Sequence, residues 1–338
     1  MMQLTAVAER RYNPLSGEWV MITANRQGRV YRPTTEQCPL CPTSIDREGF
    51  SEIPFASYEV AVFENRFPAL SDDEAVIDGS TTLYPKAPAY GRCEVVVYSD
   101  DHDQTFADLS AERIGLVINT WIDRCEVLGR DPEVHYVMPF ENKGELVGAT
   151  LGHPHGQLYA FPDIPPRVRQ NIASVHAYFS ETRKCLQCDV CAEETDSKDR
   201  VVFETSEWIA FVPFAPQFPF EVHVVPTLHA SSLSALSVAA RRDLSDVLSK
   251  ITKCYDRLWN ISLPYVMALF QRPSDDEYGW DDFCHLRFEF KPFHRDATRT
   301  KYLAGVELAA GAFIVDVRPE DAAVQLREAL CGRATTGT

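Results

Sequence analysis

Hydrophobic spacing changes character several times along the chain. Over 109–129, LSAERIGLVINTWIDRCEVLG, apolar residues recur every three to four positions behind a polar opening, which predicts an amphipathic helix. The stretch 236–260, LSVAARRDLSDVLSKITKCYDRLWN, has the same period. Shorter runs dense in β-branched and aromatic residues, CEVVVYS, GQLYAFP, FEVHVVP and LRFEFKPF, predict strands. These pieces come in a repeating order: a C-x-x-C pair, a strand, a turn with a histidine, a helix, then a further strand near a second histidine. FPDIPPRVRQ, with three prolines, is the natural bridge between the repeats. The pattern predicts a duplicated α+β fold, mostly antiparallel, with a helix packed on each of two sheet halves, 1–165 and 166–338.

Composition narrows the function classes. With 338 residues and 45% apolar content the chain can fill two cores. No apolar run approaches the roughly 20 residues of a membrane helix, and MMQLTAVAERRYNP has no apolar leader region, so a cytoplasmic protein away from membranes is expected. A formal charge of −16 argues against a nucleic-acid partner. Small anions remain possible partners where basic residues gather, as in NRQGRVYRP and in RDATRTKY (Arg295, Arg299, Lys301).

Ten cysteines without a leader argue for reduced thiols rather than a disulfide framework. Each C-x-x-C can direct two sulfurs at one tetrahedral ion, while a redox pair or two small thiols in a turn are the alternatives. The repeat favours metal, because it supplies two histidines per half. The sets are Cys38, Cys41, His102 and His153, then Cys185, Cys188, His229 and His285, which predicts two zinc sites. Cys191 is a spare, and the other cysteines read as small apolar residues. His223 alternates with apolar neighbours and reads as a sheet-face residue, His135, His176 and His294 have no partners nearby in sequence, none of the four receives a role, and the acidic PSDDEYGWDD reads as a solvated loop.

LGHPHGQLYAFP, 151–162, carries the most specific chemistry. In an extended segment His153, His155 and Gln157 share one face, with Pro154 and Gly156 on the other. If His153 binds metal, the imidazole of His155 is left to act as a nucleophile toward phosphorus, provided one ring nitrogen is held as N–H. Gln157 can donate to a bound group, and Gly156 is expected to clear space for a substrate.

H-P-H-G-Q, preceded by ENKG at 141–144 and by the C-x-x-C near position 40, resembles the galactose-1-phosphate uridylyltransferases, a branch of the histidine triad superfamily. The resemblance runs from NPLSGEWVMITANRQGRVYRP through VFENRFPAL, YSDDH and FPFEVHVVP to RTKYLAGVE. It implies two histidine-triad-like halves and a ping-pong exchange of UMP between UDP-glucose and galactose 1-phosphate, in galactose metabolism. His155 would be the nucleophile and Gln157 the hydrogen-bond donor to the transferred phosphoryl group. Cys38, Cys41, His102 and His153 match the family's zinc ligands. Asn65 matches a nucleoside contact, Asn142 a phosphate contact, and Lys301 and Glu307 the hexose-holding segment. Arg26 and Arg29 match arginines that reach a neighbouring subunit's site, which implies a homodimer.

The sequence also departs from well-known members. Their iron-like second site maps onto Val168, the neighbourhood of Phe270, Arg287 and Glu289, so no iron site is expected. An acidic residue expected after Asn65 is Arg66, and a glutamine expected near the sugar is Phe313. Three readings of different class therefore stand: the uridylyltransferase, an ADP-glucose phosphorylase or adenylyltransferase using the same His155, and a non-catalytic zinc-stabilised binding protein. UDP-glucose and ADP-glucose offered separately distinguish them.

Overall fold

A computed structural model describes residues 8–23, 33–43, 50–73, 76–275 and 278–332. Two antiparallel sheets and six α-helices account for the regular structure among them. A small sheet, in the order β2-β1-β4, is made by β1 (Glu9–Asn13), β2 (Glu18–Ile22) and β4 (Lys86–Pro88).

The large sheet has nine strands. Its first half contains β3 (Ala61–Glu64), β5 (Arg92–Val97), β6 (Tyr136–Lys143) and β7 (His155–Phe161). The second contains β8 (Val201–Glu204), β9 (Trp208–Phe211), β10 (Val222–Pro226), β11 (Tyr265–Phe270) and β12 (Arg287–Pro292). The strand order β3-β5-β7-β6-β11-β12-β10-β9-β8 is symmetric about the β6·β11 pair apart from the extra edge strand β8, and at that pair Ala268 faces Phe140 and Tyr265 faces Lys143. The expected halves are therefore fused edge to edge into one sheet, which removes two open edges.

One helix follows the middle of each half: α1 (Ala111–Gly129) and α4 (Val238–Leu258). Both start at a serine whose hydroxyl accepts a backbone N–H, Ser110 from Arg113 and Ser237 from Ala240. In α1, Ile114, Val117, Ile118, Trp121 and Ile122 form a buried stripe at three-to-four spacing. That stripe meets Val96, Leu158 and Phe288 on one face of the sheet, where Trp121 stacks with Phe106 and tilts against Phe288. Full burial of each such side chain contributes about 1.5–3 kcal/mol.

The opposite face is covered piecewise, with Ala69, Leu70 and Ala89 over Cys93, Tyr159 and Phe161 at one corner. The Cys38–Cys41 loop packs on Val95 and Val97. In the middle, α2 (Pro166–Thr182) lays Val168 and Ile172 against Tyr136 and Phe270. At the far end α3 (Leu186–Ser197) covers Ile209, Phe211 and Val225. α5 (Gly305–Ala310) and α6 (Pro319–Leu330) complete the chain, and α6 packs on α4. No helix among the described residues is long and apolar enough to cross a membrane.

Candidate active site

β7 lies between β5 and β6, paired antiparallel with both. Its alternation is strict: Gly156, Leu158 and Ala160 are buried toward the helices, and His155, Gln157 and Tyr159 are half-buried on the other face. Gly156 therefore does not clear space for a substrate, contrary to the sequence expectation. A Cβ there would point into the core, against the Tyr98 hydroxyl, 2.9 Å from Tyr98 Cζ and 3.0 Å from the Phe140 carbonyl oxygen. The glycine is required because the Tyr98 ring packs flush against the strand from behind.

His155 and Gln157 open into a cavity of about 300 Å³. The His155 Nδ1–H donates to the carbonyl oxygen of His153 at 2.8 Å. That bond fixes the tautomer and puts the imidazole lone pair on Nε2. Gln157 is oriented in turn: its Oε1 accepts from Asn65 Nδ2 at 3.4 Å, while Asn65 Oδ1 accepts from the Phe67 backbone N–H at 3.0 Å. The Gln157 amide N–H groups are thereby turned from Asn65. Leu40, Phe50, Phe63, Val95 and Leu151 give the cavity an apolar slot.

His153 precedes β7, and its buried ring turns toward the cysteine loop that packs on Val95 and Val97. Its Nδ1 lies 3.5 Å from Cys41 Sγ, and His102 Nδ1 lies 3.3 Å from the same sulfur. With Cys38, the four ligand atoms fall within 4.8 Å of one another. In a tetrahedral zinc site, sulfur and nitrogen ligands stand about 3.5 Å apart, given bond lengths of about 2.3 and 2.0–2.1 Å. The set fits. The remaining nitrogen of His153 donates to the Ser99 carbonyl at 2.7 Å, the usual second contact of a ligating imidazole. Burial lowers the His153 pKa to about 4, against the opposing pull of the Ser99 carbonyl, so the ring is neutral and can bind a metal.

The second set repeats the first. His285 precedes β12 by two residues, as His153 precedes β7. His285 Nδ1 is 3.6 Å from Cys185 Sγ and 3.5 Å from Cys188 Sγ, and His229 Nδ1 is 3.6 Å from Cys188 Sγ. His229 Nε2 donates to the Asp281 carbonyl at 2.7 Å. These four residues also could hold a metal ion.

Counting two residues past each cluster histidine reaches His155 in the first half and Arg287 in the second, and Gln157 corresponds to Glu289. Around Glu289 the structure assembles a network that sequence reasoning missed. Glu289 pairs with Arg287 and Lys291, and His223 Nε2 lies 3.0 Å from Glu221. Burial opposes ionisation of Glu289, but Arg287, His223 and Lys291 outweigh it and hold its pKa well below the usual range. Glu221 also accepts the N–H groups of Gln217 and Phe218. Glu221, His223 and Glu289 are close enough for a metal, yet side-chain and backbone donors already occupy the two carboxylates. His223 thus has a partner two residues away that alternation alone did not reveal.

Other expected site residues are placed as follows. Continuing the β6·β7 register by two residues sets Asn142 beside His155, outside the cavity lining. Lys301, buried, and Glu307, half-buried, bond each other at 3.0 Å, and neither lines the cavity. Arg295 pairs with Asp316 and Arg299 with Asp296, so this basic stretch is neutralised locally rather than offered to an anion. Arg26 and Arg29 lie outside the described residues. Glu52 and Arg66 line the cavity; the first carried no signal in the sequence, and the second appeared only as a departure.

Together the fold and the site define a class: a duplicated α+β protein whose strand β7 turns His155 to a cavity, backed by a Cys₂His₂ cluster in each half. The chain belongs to the galactose-1-phosphate uridyl transferase family, matching the model of its N-terminal domain over residues 1–165 and of its C-terminal domain over 171–334. It is 39% identical to a galactose-1-phosphate uridylyltransferase of Thermotoga maritima, over 95% of this chain and 98% of the relative. A solved uridylyltransferase superposes with a TM-score of 0.85 at 30% identity, covering 96% of this chain and 98% of that one. An ADP-glucose phosphorylase from Arabidopsis thaliana, solved with bound ADP-glucose, superposes with a TM-score of 0.71 at 25% identity, covering 95% and 99%.

Proposed function

We propose that this chain exchanges a uridylyl group between UDP-glucose and galactose 1-phosphate through a covalent adduct on His155. One observation carries the reading: an imidazole facing the cavity whose Nδ1–H is held by the His153 carbonyl at 2.8 Å. In the first step the Nε2 lone pair attacks the α-phosphorus, a P–N bond forms, and the P–O bond to glucose 1-phosphate breaks with that oxygen leaving on the sugar phosphate. A phosphate oxygen of galactose 1-phosphate then attacks the same phosphorus, the P–N bond breaks and UDP-galactose departs. The carbonyl of His153 stabilises the cationic ring as charge develops, and Gln157 donates to the phosphoryl oxygens.

The remaining roles follow the family resemblance: Asn65 against the nucleoside, Asn142 against phosphate, Lys301 and Glu307 with the hexose, and Arg26 and Arg29 reaching the partner's site in a homodimer. The mutual pairing of Lys301 and Glu307, apart from the cavity, suits a segment that serves a neighbouring copy. The two halves, 1–165 and 166–338, act as unequal histidine-triad-like units, the second with Arg287 where the first has His155. Zinc is the metal proposed for both Cys₂His₂ sets, where it would cross-link distant strands and take no part in a step. The enzyme is read as cytoplasmic, in keeping with cysteines that form no disulfide among the described residues.

A phosphorylase acting on ADP-glucose is the second reading, favoured by the Arabidopsis structure and by Arg66 in the cavity. A panel crossing UDP-glucose and ADP-glucose with galactose 1-phosphate and inorganic phosphate decides between them. Labelled glucose 1-phosphate is expected to exchange into UDP-glucose in the wild type and to lose roughly 10⁴-fold or more in rate in His155→Ala. Exchange only with ADP-glucose supports the phosphorylase, and undiminished exchange in His155→Ala rejects both.

A further inference from the structure

The cavity at His155 contains a carboxylate and a guanidinium that the reaction as described does not use. Glu52 lines it from the segment behind the first cysteine pair, anchored by its backbone N–H to the Pro39 carbonyl at 2.8 Å. No hydrogen bond among the described residues is made to its side chain, and Arg66 acts on it only through charge. Arg66 stacks its guanidinium over Phe50 at 4.6 Å and near Phe67 at 5.7 Å. Stacking leaves the N–H groups at the rim of that plane available.

A nucleotide has a fixed order of groups, phosphate, ribose, base, and the cavity can be read in that order. His155 and Gln157 mark the phosphate end. Asn65 bonds Gln157, so the turn from Asn65 to Phe67 stands one group further along, at the level of the sugar. The base then takes the apolar slot of Leu40, Phe63 and Val95. A ribose presents two adjacent hydroxyls that need acceptors. Asn65 Oδ1 is engaged by the Phe67 N–H and Gln157 Oε1 by Asn65, which leaves the neutral oxygens of Gln37 and Thr150 and the carboxylate of Glu52 among the described lining. Among the described lining residues Glu52 is the one carboxylate, and its two oxygens can take both hydroxyls.

The geometry points to Glu52 as the residue that reads the ribose, its carboxylate accepting from the 2′- and 3′-hydroxyls while Arg66 braces the wall over Phe50. This inference rests on the proposed nucleotide-transfer reading, but it concerns binding and can be tested apart from turnover. Burial raises the Glu52 pKa and Arg66 opposes that rise, which is the balance of an acid kept ready inside a cavity.

The test titrates the full chain with UMP and 2′,3′-dideoxy-UMP, and with AMP and 2′,3′-dideoxy-AMP, by calorimetry. The wild type is expected to bind the ribonucleotide of its preferred base roughly 10- to 100-fold more tightly than the dideoxy form, the size of hydrogen bonds to a charged group. Glu52→Gln should bring that ratio close to one while leaving dideoxynucleotide affinity unchanged, which also shows that the variant is folded. Glu52→Asp should keep part of the preference. A wild type that binds both forms equally, a ratio that survives Glu52→Gln, or no binding of either ribonucleotide overturns the inference. UDP-glucose turnover is followed in parallel: ribose discrimination without turnover counts against uridylyl transfer and leaves the role of Glu52 standing.

Discussion

A single methyl group at position 156 separates two accounts of the H-P-H-G-Q motif. Its Cβ would meet Tyr98 and the Phe140 carbonyl, behind the strand, and not the cavity. Tyr98 is fully buried and packed by Phe106 and Trp121, so it has little room to move. Gly156→Ala is therefore expected to lower stability by about 1–3 kcal/mol, the range for overpacking a filled core. Equilibrium denaturant unfolding measures it, and the same substitution in a Tyr98→Phe background should cost less, because the hydroxyl that the methyl meets first is gone. An equal cost in both backgrounds would contradict this packing account. Strand periodicity made the shared face of His155 and Gln157 legible in the sequence. What lay behind Gly156 was not legible, since Tyr98 reaches it from just past the end of β5 and alternation says nothing about that partner.

At the scale of elements, the repeat was the informative signal. It gave α1 and α4, the strands beside them and both Cys₂His₂ sets, because amphipathic period and ligand type are local properties. The partners of His153 were hidden, as the Ser99 carbonyl and the Cys38–Cys41 loop arrive from elsewhere in the chain. Joining of the halves through β6 and β11 was hidden too, because edge pairing is a long-range choice. Each metal set ties a cysteine pair to histidines distant in sequence, as between Cys41 and His153, 112 residues apart. Elemental analysis of the purified chain is expected to give about two zinc per subunit. Chelation should lower the melting temperature as well as the rate, since the unfolded chain has no preformed site. Metal-free protein with unchanged melting would remove this cross-linking role.

Across the whole molecule, the duplication is symmetric in backbone and asymmetric in chemistry. One central strand bears His155 and Gln157 over a cavity; its counterpart bears Arg287 and Glu289 in a buried ion-pair network. The acidic chain holds its cations in pairs, as Arg295, Arg299 and Lys301 show, so local attraction of an anionic substrate could not be read from runs of basic letters. Glu52 shows the same limit, for its proposed place at the ribose depends on a cavity wall that only the folded chain assembles.

The central claim is that His155 carries the nucleotide during turnover. Its most direct measurement is intact-mass and peptide analysis of the full chain, stopped in base after incubation with UDP-glucose alone. The account predicts one UMP added per chain, on the peptide containing His155, stable in base, lost in mild acid and discharged by galactose 1-phosphate. An unmodified chain that still turns over UDP-glucose, or an adduct on another residue, would contradict it.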